Sequence, residues 1–171
     1  MRLAETVTFG GSRLDRAAEI RGQAEVLDAA IAAGQAETIL LWRGKPLLEG
    51  TARARLARLP MDHIVLQEHG RSPLLLGREE SGKLVFVSDI SDWVPDEVDE
   101  AALGAFFDPS EQQHPMLEES HVFLELRGVM SQLTMRDAEL AATARAVLGW
   151  HRSHRYCAAC GEESQMVMAG G

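Results

Sequence analysis

Both cysteines of the chain stand close together near its C-terminal end, in the sequence WHRSHRYCAACG at residues 150–161. Cys157 and Cys160 flank two alanines and are followed by Gly161. A C-x-x-C-G turn can aim two thiolates at one metal ion, and its glycine relieves the turn so that backbone N–H groups point at sulfur. Structural zinc takes four ligands in such sites. We therefore predict that Cys157 and Cys160 form half of a zinc site, which ligands from elsewhere complete.

Two other interpretations of the cysteine pair are weaker. His151 and His154 could complete a local site, but if residues 150–155 end a helix, four ligands at successive spacings of three cannot all converge on one ion. Solvation or partial packing at a helix end explains both histidines better. A redox pair would need a lowered thiol pKa, and that motif belongs at the start of a helix after a strand, whereas this one follows a predicted helix.

A longer stretch around the cysteines carries a family resemblance. The sequence ATARAVLGWHRSHRYCAACG at residues 142–161 resembles the NADH pyrophosphatase family of Nudix hydrolases, and the resemblance extends through LELRGVM at residues 124–130. It implies a variable N-terminal domain, a four-cysteine ribbon holding structural zinc, a C-terminal Nudix domain and a homodimer.

Other motifs of that family do not occur in the chain. The family has a second C-x-x-C and the Nudix box G-x5-E-x7-R-E-U-x-E-E-x-G-U, of which the nearest internal match is GREESG at residues 77–82. Leu75 and Leu76 stand where the box has Arg-Glu, so the carboxylates that would hold divalent ions are missing there. We interpret GREESG as a hairpin turn. The chain is then expected to be the inactive N-terminal part of an enzyme whose Mg²⁺ or Mn²⁺ binds in the Nudix domain.

The resemblance also implies a substrate. The intact enzyme would hydrolyse the pyrophosphate of NAD(H) to NMN(H) and AMP, and could remove NAD caps from RNA. Lys45 in LWRGK and Arg127 in LELRG match positions where some members of the family place substrate-binding cations, which suit a pyrophosphate anion. The alternatives are a surface turn lysine and an ordinary ion-pairing arginine.

Composition narrows the class of protein. The chain has 171 residues, is 46% hydrophobic and carries a formal net charge of -9. That charge argues against a broad nucleic-acid-binding face. No apolar run approaches 18 residues and the start lacks a signal-peptide core, so we expect no membrane partner and a cytoplasmic protein. The basic stretch around Trp150 is better explained by cations offsetting a helix C-terminus than by phosphate contact; it comprises Arg145, Arg152, His154 and Arg155.

Hydrophobic periodicity predicts an α+β fold with a small, mostly antiparallel sheet. Residues 12–33 predict one kinked or two short helices, opened by a capping box of Ser12 and Asp15 and ended by Gly34. We predict a meander of strands at residues 38–42, 46–48, 63–67, 73–76 and 84–88, in which a turn at residues 43–45 joins the first two strands as a hairpin. Residues 52–59 predict a short helix or loop whose arginines Arg53, Arg55 and Arg58 form a solvated face. A short helix is predicted at residues 96–107.

The C-terminal half supplies the element that positions the cysteines. Residues 108–119 are predicted to form a linker, and residues 122–130 are predicted to be ordered again. Thr134 with Asp137 then caps a long helix that ends at Trp150, with a buried stripe of Leu140, Ala144, Val147 and Leu148. The domain assignment is an N-terminal α+β domain at residues 1–133, a connecting helix at 134–156 and half of a zinc ribbon at 157–171.

One different class of function remains open. The chain could be a scaffold or dimerisation module without enzymatic activity, in which two chains share one zinc ion through four cysteines. A redox protein ranks third. The remaining histidines are expected to be packed or solvated rather than catalytic; they are His63, His69, His114 and His121.

Overall fold

The computed structural model describes residues 12–69, 71–96 and 110–170, and it has an α+β architecture. This confirms the predicted fold class. Residues 1–11 and nearly all of the short helix predicted at residues 96–107 lie outside the described residues. The helices are α1 (Ala24–Ala32), α2 (Ile64–His69), α3 (Leu126–Val129) and α4 (Met135–Ser153). The strands are β1 (Ala36–Trp42), β2 (Lys45–Glu49), β3 (Arg55–Leu56), β4 (Leu59–Pro60), β5 (Leu74–Arg78), β6 (Leu84–Asp89) and β7 (Val122–Phe123).

The strands of the described ranges form one mixed sheet around β1. Its main order is β3-β2-β1-β6-β5, with β4 also paired to β1 and β7 to β2. Strands β1 and β6 run parallel, while the other pairings are antiparallel. The sheet is therefore mostly antiparallel as predicted, but the predicted meander is wrong, because β1 pairs with a strand far along the chain.

Two hairpins follow the sequence prediction. Arg43 and Gly44 join β1 to β2 with φ angles of 49° and 82°, the positive values of a type I′ turn, whose twist matches that of the strands. GREESG is a hairpin turn between β5 and β6, in which Glu79 N–H donates to the Lys83 carbonyl at 2.8 Å. Both predictions are confirmed.

Strand β1 is buried on both faces of the sheet. Ile39 and Leu41 pack in one cluster with residues of α4, whereas Leu40 and Trp42 pack in a second cluster with Phe123. This alternation follows the two-residue period of a strand. The stripe predicted on α4 lies in the first cluster, with two members buried and two partly buried; these are Leu140, Ala144, Val147 and Leu148.

Two segments differ in type from the prediction. Residues 63–67 were expected to form a strand, but α2 begins at Ile64, where His63 Nδ1 accepts a hydrogen bond from Val65 N–H at 3.3 Å. Residues 52–59 were expected to form a helix or loop, but they contain β3 and the start of β4, which extend the sheet on β2 and β1. Long-range pairing overrides local propensity in the second segment.

The predicted capping box at the N-terminal end does not form, because tertiary contacts engage both residues. Ser12 N–H donates to Glu139 on α4 at 3.0 Å. The Asp15 carboxylate accepts from Arg78 Nε at 2.9 Å, and Asp15 pairs with Arg78 as an isolated bridge. Gly77 permits this approach, since a Cβ there would lie 2.4 Å from the Asp15 carbonyl oxygen. The first helix therefore begins only at Ala24.

Helix α4 begins at its predicted cap. Thr134 accepts a side-chain hydrogen bond from Asp137 N–H at 3.1 Å. The helix continues to Ser153 and not, as predicted, only to Trp150, and His154 is its C-cap residue. Among the helices that the structure describes, none is both long and apolar enough to cross a membrane.

The described part of the predicted linker is packed against the sheet, so the linker prediction is wrong for residues 110–119. Gln112 and Phe123 exchange backbone hydrogen bonds. His114 is 2% exposed, and its ring centroid lies 4.4 Å from that of Trp93. Burial, together with the charges of His69 and His63, lowers the pKa of His114 to about 4, so this side chain is neutral at pH 7.

Arg58 joins the sheet to α4. Its guanidinium lies 2.8 Å from Glu37 on β1, 3.0 Å from Asp137 on α4 and 3.3 Å from Glu79 in the β5–β6 turn. We call these four residues the Arg58 cluster. Asp137 also accepts the Leu56 N–H of β3 at 3.2 Å. The prediction that Arg58 lies on a solvated face is wrong, because its side chain is only 26% exposed.

The Asp137→Asn substitution should lower the free energy of unfolding by roughly 2 kcal/mol. It removes a charge from a largely buried pair and weakens the acceptor for Leu56 N–H. Asp62→Asn is the matched control, because Asp62 is exposed and forms no ion pair within the described ranges; its effect should stay within about 0.5 kcal/mol. Urea unfolding measures both, and equal stabilities of the two variants would contradict the role given to Asp137.

Candidate functional site

The segment after α4 folds into a small knuckle at residues 155–164. Cys157 N–H donates to the Glu162 carbonyl at 2.8 Å, and Ser164 N–H donates to the Arg155 carbonyl at 2.8 Å. Gly161 has a φ of 77°, in the left-handed region that favours glycine. The chain thus reverses between the two arms and places both cysteines at the turn.

The knuckle presents two free, exposed thiols side by side. Cys157 and Cys160 are not joined in a disulfide. Hydrogen bonds from the backbone N–H groups of Ala159 and Cys160, and then from the Cys160 side chain, lower the pKa of the Cys157 thiol. The predicted arrangement, in which backbone N–H groups point at sulfur, is therefore present at Cys157. This donor chemistry fits two of the four ligands that structural zinc requires.

The neighbouring histidines belong to the helix end. The His154 ring stacks on Trp150 with centroids 4.8 Å apart, and its Nδ1 lies 3.1 Å from the Trp150 carbonyl oxygen. His151 meets Trp150 edge to face at 5.1 Å. Within residues 12–69, 71–96 and 110–170, no group of three or more His, Cys, Asp or Glu is placed to hold a metal ion. Metal binding by Cys157 and Cys160 therefore stays a prediction.

Lys45 is a buried residue at the start of β2, not a surface turn lysine. It is 3% exposed, and its ammonium donates to the Ser110 carbonyl at 2.7 Å and to Ser110 Oγ at 2.9 Å. Its Nζ also lies 6.0 Å from the Trp42 ring centroid. These contacts hold the ammonium against the protein, and substrate binding by Lys45 stays a prediction.

Arg127 differs from Lys45 in its exposure to solvent. It belongs to the last turn of α3 and is exposed. The segment before α3 runs beside β2, because Leu124 N–H donates to the Pro46 carbonyl at 3.3 Å. Since Lys45 is buried and Arg127 is exposed, the structure does not bring the two cations to one exposed face, and the role of Arg127 also stays a prediction.

The carboxylates nearest to the Nudix-like motif are held in ion pairs. Glu79 of GREESG lies 3.3 Å from Arg58 and 3.6 Å from Arg136. Glu37 pairs with Lys83 at 2.9 Å as well as with Arg58. Together with Asp137, these groups border two cavities of about 630 and 470 Å³. The three carboxylates of the Arg58 cluster line these cavities, and each of them forms an ion pair with a cationic side chain.

The Arg58 cluster could not be predicted from the spacing of its residues in the sequence. Its members come from β1, the β5–β6 turn, α4 and the loop between β3 and β4, so no sequence window contains two of them in contact. The only hint was Arg58 itself, which sits between the hydrophobic residues Ala57 and Leu59. A charged residue in such a position commonly has a buried partner.

A family model described as an NADH pyrophosphatase-like rudimentary NUDIX domain matches residues 35–150. The chain belongs to this family. The match begins just before β1 and ends at Trp150, so it contains every strand of the described sheet and most of α4, while the cysteine knuckle follows it.

Two curated relatives share a shorter segment. The mitochondrial NAD(P)H pyrophosphatase NUDT13 of Homo sapiens is 44% identical over 48 residues, and its counterpart of Mus musculus is 40% identical over 48 residues. Each match covers 28% of this chain and 14% of the relative. The matched segment therefore spans a small part of either relative's length, and their names describe proteins much longer than the region compared.

The Cys157 thiol should react faster than an ordinary thiol at neutral pH. Its pKa is lowered chiefly by the Ala159 N–H, a donor that a Cys160→Ser variant retains, so the thiolate is populated at lower pH. Alkylation of this variant by iodoacetamide, followed from pH 6 to 10, should rise with an inflection below that of a denatured sample. Coincident inflections for the folded and denatured variant would contradict the hydrogen-bonded geometry of the knuckle.

Proposed function

We propose that the chain is the N-terminal, non-catalytic part of a Nudix hydrolase of the NADH pyrophosphatase type. The observation that carries the proposal is the family match over residues 35–150, which spans the whole described sheet and most of α4. The two relatives named NAD(P)H pyrophosphatases support a nicotinamide dinucleotide as the substrate class. The ion-paired state of Glu37, Glu79 and Asp137 supports a scaffolding role for this part of the protein.

In this proposal the intact enzyme hydrolyses the pyrophosphate bond of NAD(H) to NMN(H) and AMP. The Nudix domain supplies the carboxylates for Mg²⁺ or Mn²⁺, which polarise the phosphoryl oxygens when bound. Lys45 and Arg127 remain the proposed substrate-binding cations of the present chain. Action on NAD-capped RNA and a homodimeric state complete the proposal as extensions of the family resemblance, and a cytoplasmic location follows from the composition.

The cysteine knuckle has a structural role in the proposal. Cys157 and Cys160 would each bind zinc through a thiolate, and a second pair of cysteines would complete the tetrahedron. Helix α4 ends three residues before Tyr156, which opens the knuckle by its bridge to Glu163. Zinc would then tie the end of α4 to the partner segment and stabilise the junction, because metal binding to such a site contributes to folding.

The second candidate function is a module in which two chains share one zinc ion. It is favoured by a single observation, the exposure of two adjacent free thiols that make up half of a tetrahedral site. Half a zinc ion per chain, in a species with the mass of a dimer, would distinguish it from the first proposal.

The test of the proposed function is an NADH hydrolysis assay. The purified 171-residue chain, supplied with Mg²⁺ or Mn²⁺, should release no NMNH or AMP above a buffer control, as judged by anion-exchange chromatography. The protein produced from the whole reading frame should release both products and should contain a second C-x-x-C and a Nudix box. Hydrolysis by the 171-residue chain, or a reading frame that encodes neither motif, would overturn the proposal.

A further inference from the structure

Strand β5 forms one edge of the described sheet. It pairs with β6 on one side only, so its other side is the outer edge of the main strand order. The strand begins with three consecutive leucines, Leu74 to Leu76, each 2% exposed or less, and has no charged residue before Arg78. An apolar edge strand is prone to pair with another chain through its backbone N–H and C=O groups. A chain that is to stay separate from its copies must therefore cover such an edge.

Residues 12–22, which we call the N-terminal cover, occupy two alternate positions of this edge. The Arg78 N–H donates to the Asp15 carbonyl at 2.7 Å, and the two residues form an antiparallel bridge. Arg21 Nη2 donates to the Leu76 carbonyl at 3.2 Å. These backbone groups of Leu76 and Arg78 are thus hydrogen-bonded within the chain, and another strand could pair with them only by displacing the cover.

A second segment covers the next alternate position. Met168–Gly170 form a short 3₁₀ turn, which we call the C-terminal cover. A Cβ at Gly170 would lie 2.5 Å from Leu74 Cδ2, so this residue is packed directly against the first residue of β5. Met168 Cε lies 3.8 Å from the Cβ position of Gly22, the last residue of the N-terminal cover. The two covers therefore meet, and together they extend along β5.

Both covers adopt a backbone conformation that their residues do not favour. Ala17 has a φ of 50°, and Met168 and Ala169 have φ angles of 50° and 51°. Residues other than glycine rarely occupy this left-handed region, because their Cβ atoms crowd the backbone there. Ala17 and Ala169 nevertheless pack against the hydrophobic cluster that contains Leu75 and Phe86. Contacts with the sheet therefore hold the covers in place, and loss of those contacts should release them.

We propose that the two covers keep the outer edge of β5 from pairing with the same edge of a second copy of the chain. Two such edges complement each other about a twofold axis, because an antiparallel pair exchanges the same backbone hydrogen bonds in both directions. In a register centred on Leu76, Leu74 of each copy faces Arg78 of the other, so the two arginines stay apart and Leu76 meets its own counterpart. This inference goes beyond the proposed function and does not depend on it, because it concerns only contacts within the described residues.

Glycine-to-alanine variants displace the covers one at a time. Gly77→Ala places a Cβ 2.4 Å from the Asp15 carbonyl oxygen, so the N-terminal cover must move away from β5. Gly170→Ala places a Cβ 2.5 Å from Leu74 Cδ2 at a residue whose φ is 87°, so the C-terminal cover must move. Gly149→Ala is the matched control, because a Cβ there would meet nothing within 4 Å and the residue lies within α4.

Amide hydrogen exchange and molecular mass are measured for each 171-residue variant in dilute and in concentrated solution. In dilute Gly77→Ala the Arg78 amide should exchange about tenfold faster than in the original chain, because it loses its acceptor. In concentrated solution the mass of this variant should double and the protection of the Arg78 amide should return, since the second copy supplies a new acceptor. Gly170→Ala should show the same rise in mass, whereas Gly149→Ala should match the original chain in both measurements.

Three outcomes would overturn the proposal. The first is unchanged exchange of the Arg78 amide in Gly77→Ala, and the second is faster exchange in a variant whose mass equals that of the original chain at every concentration. The third is a rise in mass that dilution does not reverse or that leaves the Arg78 amide unprotected, since misfolding would then explain the association. None of these readouts involves NADH hydrolysis, so failure of the edge cover and failure of the proposed function are distinguishable.

Discussion

The contact between Arg58 and three carboxylates sets the position of α4 on the sheet. Burial acts to lower the pKa of Arg58, but Asp137 and then Glu37 and Glu79 outweigh it, so the pKa lies above its ordinary value. A cation held in this way strongly favours the arrangement that keeps all its partners together, because loss of one partner leaves a poorly solvated charge. The hydrophobic cluster beneath α4 provides the burial, while the Arg58 cluster determines where along the sheet the helix begins.

The placement of α4 has consequences at its other end. The helix runs from Asp137 beside Arg58 to Ser153, and it delivers the cysteine knuckle immediately beyond its C-cap. Its last turns also carry Arg145 and Arg152 to the β1–β2 turn. One helix therefore connects the ion-paired Arg58 cluster with the cysteine knuckle. The carboxylates of the Arg58 cluster contribute to structure, because each is paired with a cation.

The features predicted well from sequence were those that local chemistry specifies. The hairpin over Arg43 and Gly44, the GREESG turn and the Thr134 cap each depend on residues a few positions apart. The hydrophobic stripe of α4 follows from helical period alone. The hydrogen-bonded geometry at Cys157 was also predicted from the C-x-x-C-G pattern, because that turn is fixed within five residues.

The features that sequence did not reveal depend on contacts between distant residues. The parallel pairing of β1 with β6 joins residues almost fifty positions apart, as Ala36 and Leu84 illustrate. Asp15 was assigned to a helix cap but pairs with Arg78, and residues 110–119 looked like a linker although His114 is packed against Trp93. The Arg58 cluster assembles from four separate segments, so nothing in the sequence indicated that its charges would meet.

We infer that the carboxylates around Arg58 are structural partners of arginine and not ligands of a catalytic metal ion. Titration of the 171-residue chain with Mn²⁺, followed by the broadening of backbone amide NMR signals, tests it most directly. We expect weak, unsaturated broadening spread over exposed acidic residues, because Arg58, Arg136 and Lys83 already neutralise Glu37, Glu79 and Asp137. Saturable broadening centred on those three carboxylates would contradict it and would indicate a metal site within this domain.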